Sequence, residues 1–173
     1  MRNNQPISQR EYPFPAGATL VSVTDLKGRI VYCNPAFLEV SGFSREELMG
    51  QSHNIVRHPD MPHCVFKLLW DTITQGKEIF AYVLNMAKNG DHYWVIAHVT
   101  PNYDSVGGIS GFHSSRRTPD RNKVEIVKNL YATLLAEEKK YDSPKDGMAA
   151  SFKIVADLLE KKGMEYDQFI LTL

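Results

Sequence analysis

Four side chains with acid, base or ion-pairing chemistry, His53, Arg57, His58 and Asp60, fall within one short run, His53-Asn54-Ile55-Val56-Arg57-His58-Pro59-Asp60-Met61-Pro62. Arg57 offers a planar fork of donors suited to a pyrophosphate or an electron-rich ring edge. Both histidines can donate to phosphate or hydroxyl oxygens, more strongly when protonated. The run is therefore read as a recognition segment for an anionic or hydrogen-bonding ligand. Asp60 has a second reading, as the cap of the helix that follows. His53, His58 and His63 recur every five residues, which spreads them around a helix and argues against a metal site.

The elements that must hold this segment are legible on both sides of it. Upstream, TLVSVT from Thr19 and Arg29 to Cys33 read as two strands joined by the turn Asp25-Leu26-Lys27-Gly28. Asn34-Pro35 stops the second strand and opens a short helix carrying Ala36, Phe37 and Val40. Ser44 with Glu47 makes a capping box before Leu48, and Gly50 ends that helix. Downstream, Cys64, Phe66, Leu68, Leu69 and Trp70 belong to a helix ending near Gly76. Strands then follow over Ile79 to Met86, His92 to Thr100 and Ile109 to Ser115, the first two around an Asn89-Gly90 turn. Of Tyr93 and Trp94, one must face inward and one outward. Arg116 to Asp120 breaks the pattern. The tail reads as an amphipathic helix from about Pro119 to Tyr141 with Val124, Val127, Tyr131 and Leu134 on one stripe, then a second helix ended by Gly163, and an apolar end at Phe169-Ile170-Leu171.

Totals bound the function. A chain of 173 residues has room for one well-cored domain and an appendage. Equal numbers of basic and acidic residues, 20 of each, give no overall field for nucleic acid or an anionic membrane. The N-terminal stretch lacks an apolar signal core and no long apolar run is present, so the expectation is a cytoplasmic chain without a membrane span. Two cysteines, Cys33 and Cys64, make neither a disulfide framework nor a metal spacing. No phosphate-loop, nucleophile-elbow or kinase pattern is present, so nothing points to an enzyme.

Two strands, short helices and a three-stranded meander, with the words Asn34-Pro35-Ala36-Phe37, Ser41-Gly42-Phe43-Ser44 and Glu46-Glu47-Leu48-Met49-Gly50, resemble the PAS family. That resemblance implies an α+β fold, a five-stranded antiparallel sheet with short helices on one face, here with a C-terminal helical hairpin added. The expected division is an N-terminal segment 1–18, a PAS sensor domain 19–118 and a two-helix extension 119–173. The His53 to Pro62 run with Trp70 and Lys88-Asn89-Gly90-Asp91-His92-Tyr93-Trp94-Val95 is similar, more narrowly, to the FAD-holding sensor domains of bacterial aerotaxis receptors, over roughly Thr19 to Arg117 and not evidently into the tail.

What that likeness implies is a FAD pocket supported by His53, Asn54, Arg57, His58 and Asp60, with Asn34, Trp70 and Asn85 as further contacts. Asn34 and Asn85 each carry a donor and an acceptor, and Trp70 could stack on a ring. The implied role is a redox or oxygen sensor in signal transduction, acting as a homodimer through its PAS domain and helices or on a chemotaxis or other signalling partner. Such receptors continue into a membrane anchor and a signalling domain, so this chain is expected to signal through its own tail or a separate partner, or to be a piece of something longer. A light-sensing adduct is argued against, because the segment around Asn54 to Arg57 has no cysteine. Two other readings stand beside it: a haem PAS with His58 or His63 as axial ligand, and a cofactor-free interaction module.

Overall fold

The alternating run Leu20–Thr24 forms strand β1 and Ile30–Cys33 forms β2, paired antiparallel with Ser22 opposite Cys33. Their turn is held by Asp25, whose carboxylate accepts the backbone N–H groups of Lys27 at 2.8 Å and Arg29 at 2.9 Å. The computed structural model describes residues 5–173. Strands β3 (Ile79–Met86) and β4 (His92–Tyr103) pair across the Asn89-Gly90 turn with Asn85 opposite Tyr93 and Leu84 opposite Trp94. Strand β5 (Ile109–Arg117) then inserts between β4 and β1, giving the order β2-β1-β5-β4-β3. The last strand is thus the central one, and its inward side chains lie at the middle of the sheet.

Short helices cover one face. Helix α1 (Pro35–Ser41) starts at Asn34, whose side-chain oxygen accepts from the N–H of Phe37 and of Val21, both at 3.0 Å, while its amide donates to the Thr19 carbonyl at 2.8 Å. One side chain thereby caps a helix and ties it to β1. Helix α2 (Arg45–Leu48) carries the expected Ser44–Glu47 capping box. A 3-10 turn, His53–Val56, leads to α3 (His63–Ile73).

The opposite face is covered over β3 and β4 by the tail. Helix α4 (Arg121–Glu138) buries Val124, Val127, Tyr131 and Leu134, and the Tyr131 hydroxyl donates to the Tyr82 carbonyl at 2.6 Å. Helix α5 (Pro144–Lys162) packs on both α4 and α3. The apolar end is itself helical, α6 (Tyr166–Thr172), with the Asp167 carboxylate accepting the Phe80 N–H at 3.0 Å. Because this layer lies on the outer face, Tyr93 and Trp94 are both buried, although they point to opposite sides of β4. At the other terminus the backbone pairs with the β3–β4 turn, Tyr12 N–H donating to the His92 carbonyl and His92 N–H to that of Arg10. Arg10 and the Ser8 hydroxyl both bind the Asp91 carboxylate, which they hold down at about 2.

One carboxylate joins the two layers. Asp60 does not cap α3: Pro62 occupies the cap position with no side-chain hydrogen bond, and Asp60 is exposed in the preceding turn. The start of α3 lies close to the end of α4. There Glu138 accepts the Cys64 N–H at 3.1 Å and the Ser151 hydroxyl at 2.9 Å, with His63 Nδ1 at 2.7 Å. Gly147 of α5 passes so near that a Cβ there would lie 2.5 Å from the Glu138 carbonyl oxygen. Burial pushes the Glu138 carboxyl up, and the hydrogen bonds from His63, Cys64 and Ser151 outweigh it, leaving it below the usual range. Glu138→Ala should cost about 2 kcal/mol, since it orphans a helix N–H and a buried hydroxyl. Urea unfolding followed by circular dichroism checks this, with His63→Ala expected to cost less.

Candidate functional site

Side chains that alternate inward along the strands enclose a cavity of about 320 Å³ with the His53–Val56 turn and α3. The floor is Ser22 and Thr24 of β1, Asn85 of β3, and Phe112, Ser114 and Arg116 of β5. Phe66, Leu69, Trp70 and Ile73 of α3 make an apolar wall, and Lys27 and Ser52 stand at the rim. Trp70 packs edge-on to Phe112 at 5.4 Å between centroids. Its indole also closes against Gly28, where a Cβ would meet the ring at 2.9 Å and where φ is +73°. Glycine at the β1–β2 turn therefore serves both the turn and the wall.

Arg116 is the electrostatic centre. It is 5 % exposed, donates to Ser22 Oγ at 3.0 Å and lies 2.8 Å from His53 Nε2, and no acidic side chain lines the cavity. A guanidinium can only donate, so His53 Nε2 accepts and the His53 proton sits on Nδ1. Burial, and then the charge of Arg116, push the His53 imidazole down to about 3, so it is neutral at ordinary pH. Burial also brings Arg116 down to about 10, which leaves it charged. Two further polar atoms on the floor, the Asn85 amide nitrogen and the Ser114 hydroxyl, are buried without a hydrogen-bond partner. The Asn85 amide neighbours the Tyr93 hydroxyl, also unpartnered, outside hydrogen-bond geometry. Three cations, Lys27, Arg57 and Arg116, and two orphaned floor groups thus face a half-apolar cavity: an arrangement that accepts an anionic, ring-bearing molecule with a polar edge.

Of the residues singled out in the sequence, His53, Asn54, Arg57, Trp70 and Asn85 line this cavity. Arg57 holds its guanidinium 3.9 Å over the Phe66 ring, donates to the Met61 carbonyl at 3.3 Å, and its backbone bridges to Asn85. Asn34 is spent on the α1 cap and lies outside the lining. His58 and Asp60 face away, toward a hollow on the other side of β3. His63, the other residue named as a haem ligand, is engaged by Glu138. Cys33 and Cys64 are buried and do not line the cavity, and burial raises the Cys64 thiol to about 11. Sequence reading missed Arg116, Ser22 and Ser114. Their signal was period two: Phe112, Ser114 and Arg116 alternate on one face of β5, but the Arg116-Arg117 pair read as the end of the strand.

Comparison with known proteins decides the family: the model of the PAS fold matches residues 18–116. The chain belongs to the PAS family. This PAS chain is 40% identical over 136 residues to the aerotaxis receptor of Escherichia coli (strain K12), which takes in 79% of the chain and 27% of the receptor. That match is longer than the stretch from residue 1 to Arg117, so it runs into the tail, contrary to expectation from the motifs alone. The nitrogen fixation regulatory protein of Klebsiella pneumoniae is 27% identical over 97 residues, 56% of this chain and 20% of that protein. The chain therefore spans less than a third of either relative. Among solved structures, the light state of the blue-light photoreceptor Aureochrome1 LOV superposes with a TM-score of 0.58 at 21% identity, over 64% of this chain and 88% of that one, a likeness of fold. The PAS domain is related to part of the aerotaxis receptor and has the five-stranded antiparallel sheet expected for the family. No helix among the described residues is long and apolar enough to cross a membrane.

The depressed His53 pKa sets an acid limit. Between about 6.5 and about 3 the unfolded chain binds a proton that folded His53 does not, so stability falls as pH drops through that window. The slope in that window approaches the single-proton limit of about 1.4 kcal/mol per pH unit and does not exceed it. Urea unfolding from pH 7 to 4 should show a shallower decline for His53→Asn than for the parent chain.

Proposed function

We propose that the chain is a flavin-binding redox sensor that takes FAD into the cavity between the sheet and α3, and that it binds rather than catalyses. The observation that carries this reading is the buried Arg116 charge, which faces the cavity without a carboxylate. A buried cation so placed is stabilised by an anionic or electron-rich ligand. When bound, a flavin supplies reversible electron transfer coupled to proton exchange at its ring nitrogen, and a polar pyrimidine edge.

The residues present suit that group. Asn85, Ser114 and Arg116 would take the polar edge, the first with both donor and acceptor, while Leu69, Trp70 and Ile73 would exclude water from the ring. Lys27 and Arg57, toward the rim, would take the diphosphate. A cavity of about 320 Å³ suits one buried ring system, with the nucleotide end outside. The haem reading loses support, because His58 and His63 both lie off the cavity and the Nε2 of His53 is held by Ser22 and Arg116. Relationship to the aerotaxis receptor supports the sensory role, and a cytoplasmic setting fits it. The output would run from α3, whose middle turns wall the cavity, through its Glu138-bound start to α4 and α5, and from there to a second copy or a signalling partner.

Purified protein should show the two near-ultraviolet and blue absorption bands of an oxidised flavin, and FAD should be recovered from the denatured sample by mass spectrometry. Colourless protein that leaves the fluorescence of added FAD unchanged sinks the reading. Arg116→Met separates binding from folding. It should weaken FAD at least tenfold in fluorescence titration, while the ligand-free protein keeps its stability, because a buried charge with no ionic partner is removed along with its two hydrogen bonds.

A further inference from the structure

Across β3 from the first cavity lies a second, of about 460 Å³, between the outer face of the sheet and α4, under the N-terminal strap. Its lining includes Leu84, His92 and Trp94 from the strands, Tyr131 and Leu135 from α4, and His58. The walls are mostly apolar and aromatic, with Gln9, Lys128 and Asp60 as polar lining besides the two histidines. His58 is 3 % exposed, and its two ring nitrogens are treated unequally. Nδ1 accepts the Asp60 N–H at 3.1 Å, so Nδ1 carries the lone pair and the neutral ring holds its proton on Nε2. That Nε2 is buried with no hydrogen-bond partner. A donor left so in an aromatic hollow calls for an acceptor from outside the chain. Lys128 is paired with Glu125 at 2.6 Å, and the exposed Asp60 carboxylate lies 3.8 Å from His58 Nδ1, so the hollow offers no unpaired cation to an anion.

We propose that this hollow is a second ligand site, and that it takes a neutral, flat aromatic molecule bearing one hydrogen-bond acceptor such as a carbonyl. The aromatic body lies against Trp94 and Tyr131, and the acceptor meets His58 Nε2–H. The two cavities are back to back through single peptide units. Arg57 lines the first and His58 the second, Asn85 lines the first and Leu84 the second, and Arg57 and Asn85 are bridged. Occupancy of one hollow therefore bears on the two strands of backbone that wall the other, and coupling between them must be reciprocal. The site itself stands on its own residues, whatever molecule fills the first cavity.

Calorimetric titration of the full chain with 2-acetylnaphthalene and with 2-ethylnaphthalene, alike in shape but differing in the acceptor, tests this. The ketone should bind about tenfold more tightly than the hydrocarbon, the worth of one satisfied buried donor. His58→Phe should bring the two to equal affinity. Should that buried variant fail to fold, Ala132→Trp, a change on the exposed side of α4 that reaches into the hollow, should abolish binding of both while leaving the far-ultraviolet circular dichroism of the purified protein unchanged. Equal affinity of the parent chain for the two compounds, absence of binding by either, or displacement of the ketone by FAD from a single shared site would each overturn the proposal. The second of these outcomes would assign the Nε2 proton to a bound water only.

Discussion

A guanidinium fixed at the middle of the sheet, with no carboxylate beside it, is the constraint on which the inner half of this molecule depends. Arg116 sits on the central strand because β5, last of the five, enters between β1 and β4. A buried charge must be met by hydrogen bonds or it destabilises the fold by several kcal/mol. Ser22 from β1 and His53 from the turn before α3 meet it here, and both are neutral. The 3-10 turn is thereby tied to the sheet, the imidazole is kept in one tautomer, and the positive charge is left unspent toward the cavity. Had a glutamate stood in place of His53, the charge would be neutralised within the chain and the cavity would have little to offer an anion.

The outer half depends on a different arrangement. The tail helices lie on β3 and β4, the strands that also wall the cavity, and the carboxylate at the end of α4 takes the place of a cap on α3. A helix start whose N–H is satisfied from another layer is sensitive to that layer's position. Since α3 also carries Trp70, which closes the cavity against Gly28, the wall of the site and the attachment of the tail are parts of one rigid rod, eleven residues long.

Much of this was legible in the chain. Strand alternation, the Asn89-Gly90 turn, the Ser44–Glu47 box and the Asn34-Pro35 helix start each act over a few residues, and the structure has them where local patterns put them. Within the site, the residues found from sequence were those clustered in a polar run or matching a family motif, His53, Asn54, Arg57, Trp70 and Asn85. What stayed hidden were long-range relations. Nothing near Asn34 tells that Val21 uses its oxygen, so a capping residue looked like a ligand contact. Nothing near Pro62 tells that Glu138 arrives from α4, so Asp60 stood as the cap in one of its two readings. Arg116 was missed because a charge at a strand end normally faces water, and only the placement of β5 at the centre turns it inward. The third tail helix was read as an apolar end because seven residues are too few to show a helical period clearly.

Gly147 has a bearing on how the chain could come apart. With α5 backbone lying against the last turn of α4, and the same turn gripping α3, no surface of easy cleavage separates the sensor fold from its extension. Loosening α5 would therefore disturb the last turn of α4 and, through Glu138, the start of α3. The boundary near residue 118 divides the sequence but not the packing, since Glu138 joins the end of α4 to α3 and α5.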